Sequence, residues 1–185
     1  MTLGPTLTTE RLILRPPSQD DFDAFAAMAG EEDTMRFIGG TAPRSAAWRS
    51  LSSLAGSWAL LGYSMFSVIR RDTGEWIGRL GPWQPGGDGN GWPGREVGWG
   101  LKRAAMGQGY AAEGAAAAID WAFDALGWDH VIHCIDKANA PSIALALRLG
   151  SRLEREDVAL PAPFAHLKCD IYGQSKSAWK ARRGA

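Results

Sequence analysis

Residues 96–113 read EVGWGLKRAAMGQGYAAE, and this stretch decides the fold. Its first six residues are extended and largely apolar, as a strand requires. After a five-residue link the period changes from two to 3.6. Ala115, Ile119, Ala122, Phe123 and Leu126 then share one face of a helix, with Glu113, Asp120 and Asp124 opposite. The strand therefore feeds a helix whose mouth carries Gly107 and Gly109. A helix start exposes unpaired N–H groups and the positive end of its dipole, and glycine lets an anion approach the main chain. Residues 107–111 read as a pyrophosphate cradle or as a glycine-relieved tight turn.

Upstream, residues 8–15 (TTERLILR) form a strand stopped by Pro16 and Pro17. Ser18 with Asp21 is a capping-box pattern for a helix whose Phe22, Phe25, Ala26 and Ala29 share a face. A polar stretch over 30–33 and a Gly39-Gly40 break precede a second helix over 45–61, which Gly62 ends. Residues 63–71 and 75–83 make a hairpin around Asp72-Thr73-Gly74, 85–94 form a flexible glycine-rich loop, and 95–101 complete a meander. Downstream come a strand over 130–136, a helix from Asn139 and Pro141 to Gly150, strands over 152–158 and 167–172, and a basic polar tail. The order predicts one α/β domain over 1–185, with a mixed, mostly antiparallel sheet of six to seven strands flanked by helices. It argues against a doubly wound parallel sheet.

Composition narrows the function. Twenty Lys plus Arg balance twenty Asp plus Glu across 185 residues, so no general attraction to nucleic acid or an anionic membrane is expected. Two cysteines, Cys134 and Cys169, make neither a disulfide framework nor a C-x-x-C pair. No apolar run approaches the ~18 residues of a membrane span and no signal-peptide pattern opens the chain, which predicts a cytoplasmic location. Residues 107–112 match the dinucleotide fingerprint G-x-G-x-x-G/A, with Asp129 about 20 residues on. That fingerprint should follow its strand directly within a repeated βαβ series; here the link is longer and a meander precedes it. His130 and His133 lack further ligands on their strand, so no metal is expected.

In this order the chain resembles the GNAT-type acyl-CoA N-acyltransferases, particularly their RimJ/RimL-like branch. TERLILR (9–15) is similar to the branch's opening strand, EVGWGL (96–101) to its central strand and GQGYA (107–111) to its pyrophosphate loop. Asn139-Ala140-Pro141-Ser142 with Leu149-Gly150 is similar to its cofactor-side helix. The resemblance implies a splayed central strand pair, ending at Leu101 and Asp136, with the pantetheine arm between its members. It implies that Gly107, Gln108, Gly109, Tyr110 and Ala111 bind the pyrophosphate of acetyl-CoA beside Leu101 and Met106, that Asn139 contacts pantetheine, and that Ser142 lies near the thiol. Position 146, where some relatives place a tyrosine that protonates the thiolate, is alanine, so that role is vacant or falls to Ser142.

The resemblance implies direct acetyl transfer to a primary amine, a protein N-terminus or a small molecule, by a monomer or homodimer. A non-catalytic CoA- or nucleotide-binding module and an NAD(P)-dependent enzyme are the alternatives. Amine attack needs a proton acceptor and a donor for the developing negative charge. Glu96 is the first candidate base, through a water; its alternative is an exposed strand-end carboxylate paired with Arg95 or Arg79. His133 is the competing base, or a satisfied sheet histidine. It cannot form a dyad with Cys134, since adjacent strand residues face opposite ways. Some of Trp83, Trp92 and Trp99 are read as lining an acceptor pocket; core packing and a subunit interface are the alternatives for these tryptophans.

Overall fold

A computed structural model describes residues 3–85, 91–162 and 164–184. The elements are β1 (Leu7–Thr8), β2 (Leu12–Arg15), α1 (Phe22–Ala29), α2 (Glu32–Met35), α3 (Arg44–Leu61), β3 (Phe66–Arg70), β4 (Trp76–Trp83), β5 (Glu96–Leu101), α4 (Tyr110–Asp124), β6 (His130–Ile135), α5 (Ala140–Leu149), β7 (Arg152–Ala159), β8 (Lys168–Ser175) and α6 (Lys176–Arg183). The strands form one sheet in the order β1-β2-β3-β4-β5-β6-β8-β7. Every pairing is antiparallel except β5 with β6.

The sheet has eight strands rather than six or seven because the opening segment turns back on itself. Thr9 N–H donates to the Leu12 carbonyl at 2.9 Å, and the Thr9 hydroxyl oxygen accepts from Leu12 N–H at 3.0 Å. Residues 9–11 are thus a turn, with Leu7 opposite Leu14. Side-chain alternation then sorts the core onto two faces. Leu12 and Leu14 join Val97, Leu101, Ile119 and Phe123 beneath α4, while Ile13 packs with Phe25, Met28 and Leu51 of α1 and α3.

The predicted capping box holds, and Asp21 does more than cap. Its carboxylate accepts from Ser18 N–H, Arg15 and the Ser67 hydroxyl, tying α1 to the sheet. The C-terminal tail is not solvated coil: α6 buries Trp179, whose indole N–H donates to Asp120 at 2.7 Å. Lys176 and Lys180 pair with Asp124, and Arg183 with Asp120. The polar stretch after α1 also holds the short helix α2. Of the glycine-rich loop read over 85–94, residues 86–90 lie outside the described residues. Among the described residues no helix is long and apolar enough to cross a membrane.

Candidate active site

β5 and β6 pair at one position only, Glu96 with Ile132, where Ile132 N–H donates to the Arg95 carbonyl at 3.0 Å. In a parallel ladder the next bond would run from Cys134 N–H to the Val97 carbonyl. Two side chains replace it. Cys134 N–H donates instead to Glu96 Oε1 at 3.3 Å, and His133 Nδ1 lies 2.6 Å from the Val97 carbonyl. Both groups of that missing bond are thus satisfied, as the cost of burying unpaired polar groups demands. Glu96 and His133 wedge the strands apart.

The network assigns His133 its proton. Gln174 donates to the Ser151 hydroxyl oxygen at 2.9 Å, Ser151 donates to His133 Nε2 at 3.0 Å, and Nδ1–H therefore donates to Val97. Burial drives the pKa of this ring down to about 4, overriding the Val97 hydrogen bond. Both ring nitrogens are engaged and the side chain is fully buried, so the geometry favours the sheet-histidine reading over the competing base.

Glu96 is in the opposite condition. It is 4% exposed, not an exposed strand-end group, and it forms no ion pair with Arg95 or Arg79 among the described residues. Its Oε2 accepts from the Trp92 indole at 2.8 Å. Burial raises its pKa to about 7, against the opposing pull of the Trp92 and Cys134 hydrogen bonds and the Arg79 charge. A carboxyl poised near neutrality suits general-base work.

Two cavities meet beside the splay. The larger, about 470 Å³, is lined by Leu101, Met106, Gly107, Gly109, Tyr110, Ala111, Asn139 and Ser142 among others. Gln108 is absent from that lining: its side-chain amide turns back to the Ala104 carbonyl at 2.7 Å, leaving only its main chain to face the loop. The second cavity, about 100 Å³, is lined by Glu96, Cys134, Trp83, Trp92 and Trp99 among others. Phe37, Ile38, Trp99, Asn139 and Ser142 line both, so the two spaces share a boundary. Trp83 and Trp92 pack edge-to-face at 5.3 Å.

The loop at the mouth of α4 fits an anion. Gly107 and Gly109 have φ of +74° and +83°, and a Cβ on Gly107 would meet nothing within 4 Å. The space in front of the main chain is therefore open. The loop is braced from behind by the opening turn: Arg11 Nε donates to Glu113 Oε2 at 2.7 Å and Arg11 Nη1 to the Gln108 carbonyl at 2.9 Å. The Thr9 hydroxyl and the Arg11 N–H also donate to Glu113. Burial alone would raise the Glu113 carboxyl, but these donors hold it below the usual carboxylate range. Arg36 and Arg148 line the mouth with no carboxylate partner among the described residues, a charge pattern suited to phosphates.

At the shared boundary, Asn139 caps α5 by accepting Ser142 N–H at 3.3 Å. The Trp99 indole donates to Ser142 Oγ at 3.1 Å. Indole N–H can only donate, so the Ser142 proton is free to point elsewhere. Ala146 is fully buried against Ile135 and Tyr172.

Residues 11–152 match the acetyltransferase (GNAT) domain family. An acetyltransferase structure from Agrobacterium tumefaciens is 30% identical, covers 93% of this chain and 95% of its own, and superposes with a TM-score of 0.79. A Bordetella pertussis protein assigned to the GnaT-family acetyltransferases is 28% identical over 92% and 99% of the two chains, with a TM-score of 0.75. Mycobacterium smegmatis RimJ, solved in complex with CoA-disulfide, shares the fold at 19% identity, covering 94% and 89% with a TM-score of 0.72.

Proposed function

The chain belongs to the GNAT acetyltransferase family, and from that membership we propose that it acts as a single domain of the RimJ/RimL-like branch that moves the acetyl group of acetyl-CoA to a primary amine by direct transfer. Membership makes it an enzyme, which sets aside the non-catalytic module, and its meander and long link disfavour a nicotinamide enzyme. The observation that carries the reading is the meeting of an anion-fitting cavity and an aromatic cavity at Trp99 and Ser142, with a buried carboxyl on the aromatic side.

Main-chain N–H groups of residues 107–111 bind the pyrophosphate, Arg36 and Arg148 add charge at the mouth, and Asn139 orients the pantetheine arm across the splay. Acetyl-CoA supplies an acyl group activated as a thioester. Glu96, ionised above about 7, takes a proton from the incoming ammonium through a water. Trp92 and Cys134 N–H hold its two oxygens in place. Ser142, whose hydroxyl oxygen already accepts from Trp99, turns its proton toward the sulfur as negative charge develops there. His133 keeps the splay open.

A protein N-terminus and a small amine both meet these requirements. An acetyl-CoA consumption screen across N-terminal peptides, polyamines, amino acids and aminoglycosides tests the reading. Thiol release that depends on at least one amine is the expected result; release with none of them would overturn it.

A further inference from the structure

The aromatic cavity contains a cation, Arg79, that forms no ion pair among the described residues, with Glu96 in the same cavity. Register pairs Arg79 of β4 with Gly100 and Trp83 with Glu96 of β5. Alternation puts Arg79, Trp83, Glu96 and Gly98 on one face of the sheet, and all four line the cavity. A Cβ at Gly98 would stand 2.8 Å from Met65 Cε and 3.6 Å from Glu96 Oε1. Glycine therefore lets the Met65 methyl lie against the strand beside the Glu96 carboxyl.

Arg79 is poorly satisfied for so enclosed a group. Its Nη1 donates to the Met65 sulfur at 3.0 Å, a weak acceptor, and its guanidinium lies 5.7 Å from the Phe25 ring. Its Nε is buried with no hydrogen-bond partner, and no carboxylate forms an ion pair with it among the described residues. Desolvation pulls its pKa down to about 10, only partly offset by the Glu96 charge, so it stays charged at neutral pH. A guanidinium without a carboxylate partner in a largely apolar pocket matches a carboxylate.

The opposite wall is apolar. Trp83, Trp92 and Phe164 stack edge-to-face at 5.3 to 5.7 Å, so they fill one another's faces and form a wall, not a cage around a cation. Leu160 and Leu167 extend it. The enclosed space, about 100 Å³, is smaller than the ~150 Å³ that accommodates benzene in an engineered protein cavity. It takes one compact apolar group.

We infer that the acceptor is a free α-amino acid with a compact apolar side chain, its carboxylate held by Arg79 and its side chain against Trp83, Trp92 and Phe164. The amine then sits between Glu96 and Ser142. This rests on the acetyl-transfer reading and narrows it: a protein N-terminus carries an amide where the free amino acid carries its carboxylate.

The experiment compares acetylation of leucine, leucinamide and a leucine-initiated tripeptide by the wild type, Arg79→Met and Arg79→Lys, with the thermal shift given by acetyl-CoA recorded for each. A site built around a half-buried guanidinium rejects a ligand lacking the matching group by orders of magnitude. Leucine should exceed both leucinamide and the tripeptide in kcat/KM by at least ~100-fold in the wild type. Arg79→Met should bring leucine within ~10-fold of leucinamide while keeping the acetyl-CoA shift, and Arg79→Lys should fall between. Equal turnover of leucine and leucinamide by the wild type, or a preference that survives in Arg79→Met, overturns this inference alone. If no amine of any class is acetylated, the transferase reading itself fails.

Discussion

Replacing Glu96 by glutamine keeps the shape of the side chain and removes its ionisation, and the wedge geometry gives that change two separable signatures. The first is stability. The folded carboxyl titrates near 7 against 4.5 as its ordinary value, because it is buried. Between those values the folded state holds a proton that the unfolded chain has released, so wild-type stability falls as pH rises through this window. At 1.36 kcal/mol per pH unit the loss amounts to about 3 kcal/mol, most of it between pH 5 and pH 8. His133 works in the opposite sense. With its pKa lowered to about 4, it contributes stability that is present above pH 6.5 and is lost as pH falls toward 4. Since Glu96→Gln retains His133, the difference between the two proteins isolates the carboxyl. Urea unfolding at pH 5 and pH 8 should show the variant gaining about 2 to 3 kcal/mol relative to wild type at the higher pH. The second signature is the rate. At saturating acetyl-CoA the variant should lose about two orders of magnitude, with cofactor affinity almost unchanged. Wild-type kcat/KM should rise with pH through about 7, and the variant should lack that limb. Higher pH should partly rescue it by supplying neutral amine. A variant with wild-type rate and pH profile would refute the base assignment and leave deprotonation to solvent.

Three further outcomes follow from the same geometry. Acetyl-CoA at ~100 times its dissociation constant should add about 2.7 kcal/mol to the stability of the wild type, and Gly109→Val, strained at φ +83° and bulky at the cradle, should lose most of that gain in a thermal-shift assay. Ser142→Ala should lower kcat by ~10-fold or more at unchanged acetyl-CoA affinity, since Trp99 and the Asn139 cap remain; a wild-type kcat would remove Ser142 from proton donation. His133→Phe should cost about 2 to 4 kcal/mol in denaturant unfolding by orphaning the Val97 carbonyl and Ser151, and should weaken acetyl-CoA binding through the splay without moving the limb near pH 7.

Most of the fold is legible because its signals are local. Alternation in LILR, Asp72-Thr73-Gly74 between two apolar runs, and the switch of period after Gly109 each lie within a dozen residues. The glycine turn over 107–109 at the mouth of α4 is legible for the same reason. What escaped the sequence depends on partners distant along the chain. KSAWKARR carries one apolar anchor in a basic run and becomes α6 only because Asp120 and Asp124 of α4 face it. The TERL opening reads as uninterrupted strand until Thr9 and Arg11 are seen to hold Glu113. Glu96 reads equally as a base or as an exposed carboxylate because Trp92 and the Cys134 amide, which enclose it, come from a loop and a strand across the splay. The unpartnered Nε–H of Arg79 has no sequence signal, since a lone arginine in a strand ordinarily finds a carboxylate.

The most direct test of the account is a time course of thiol release from acetyl-CoA, run with and without an amine panel and paired with the masses of the products. The account predicts release well above the amine-free rate for at least one amine, with one acetyl group gained by that amine for each thiol released. Thiol release that is independent of amine, or none at all while acetyl-CoA still stabilises the protein, would contradict it.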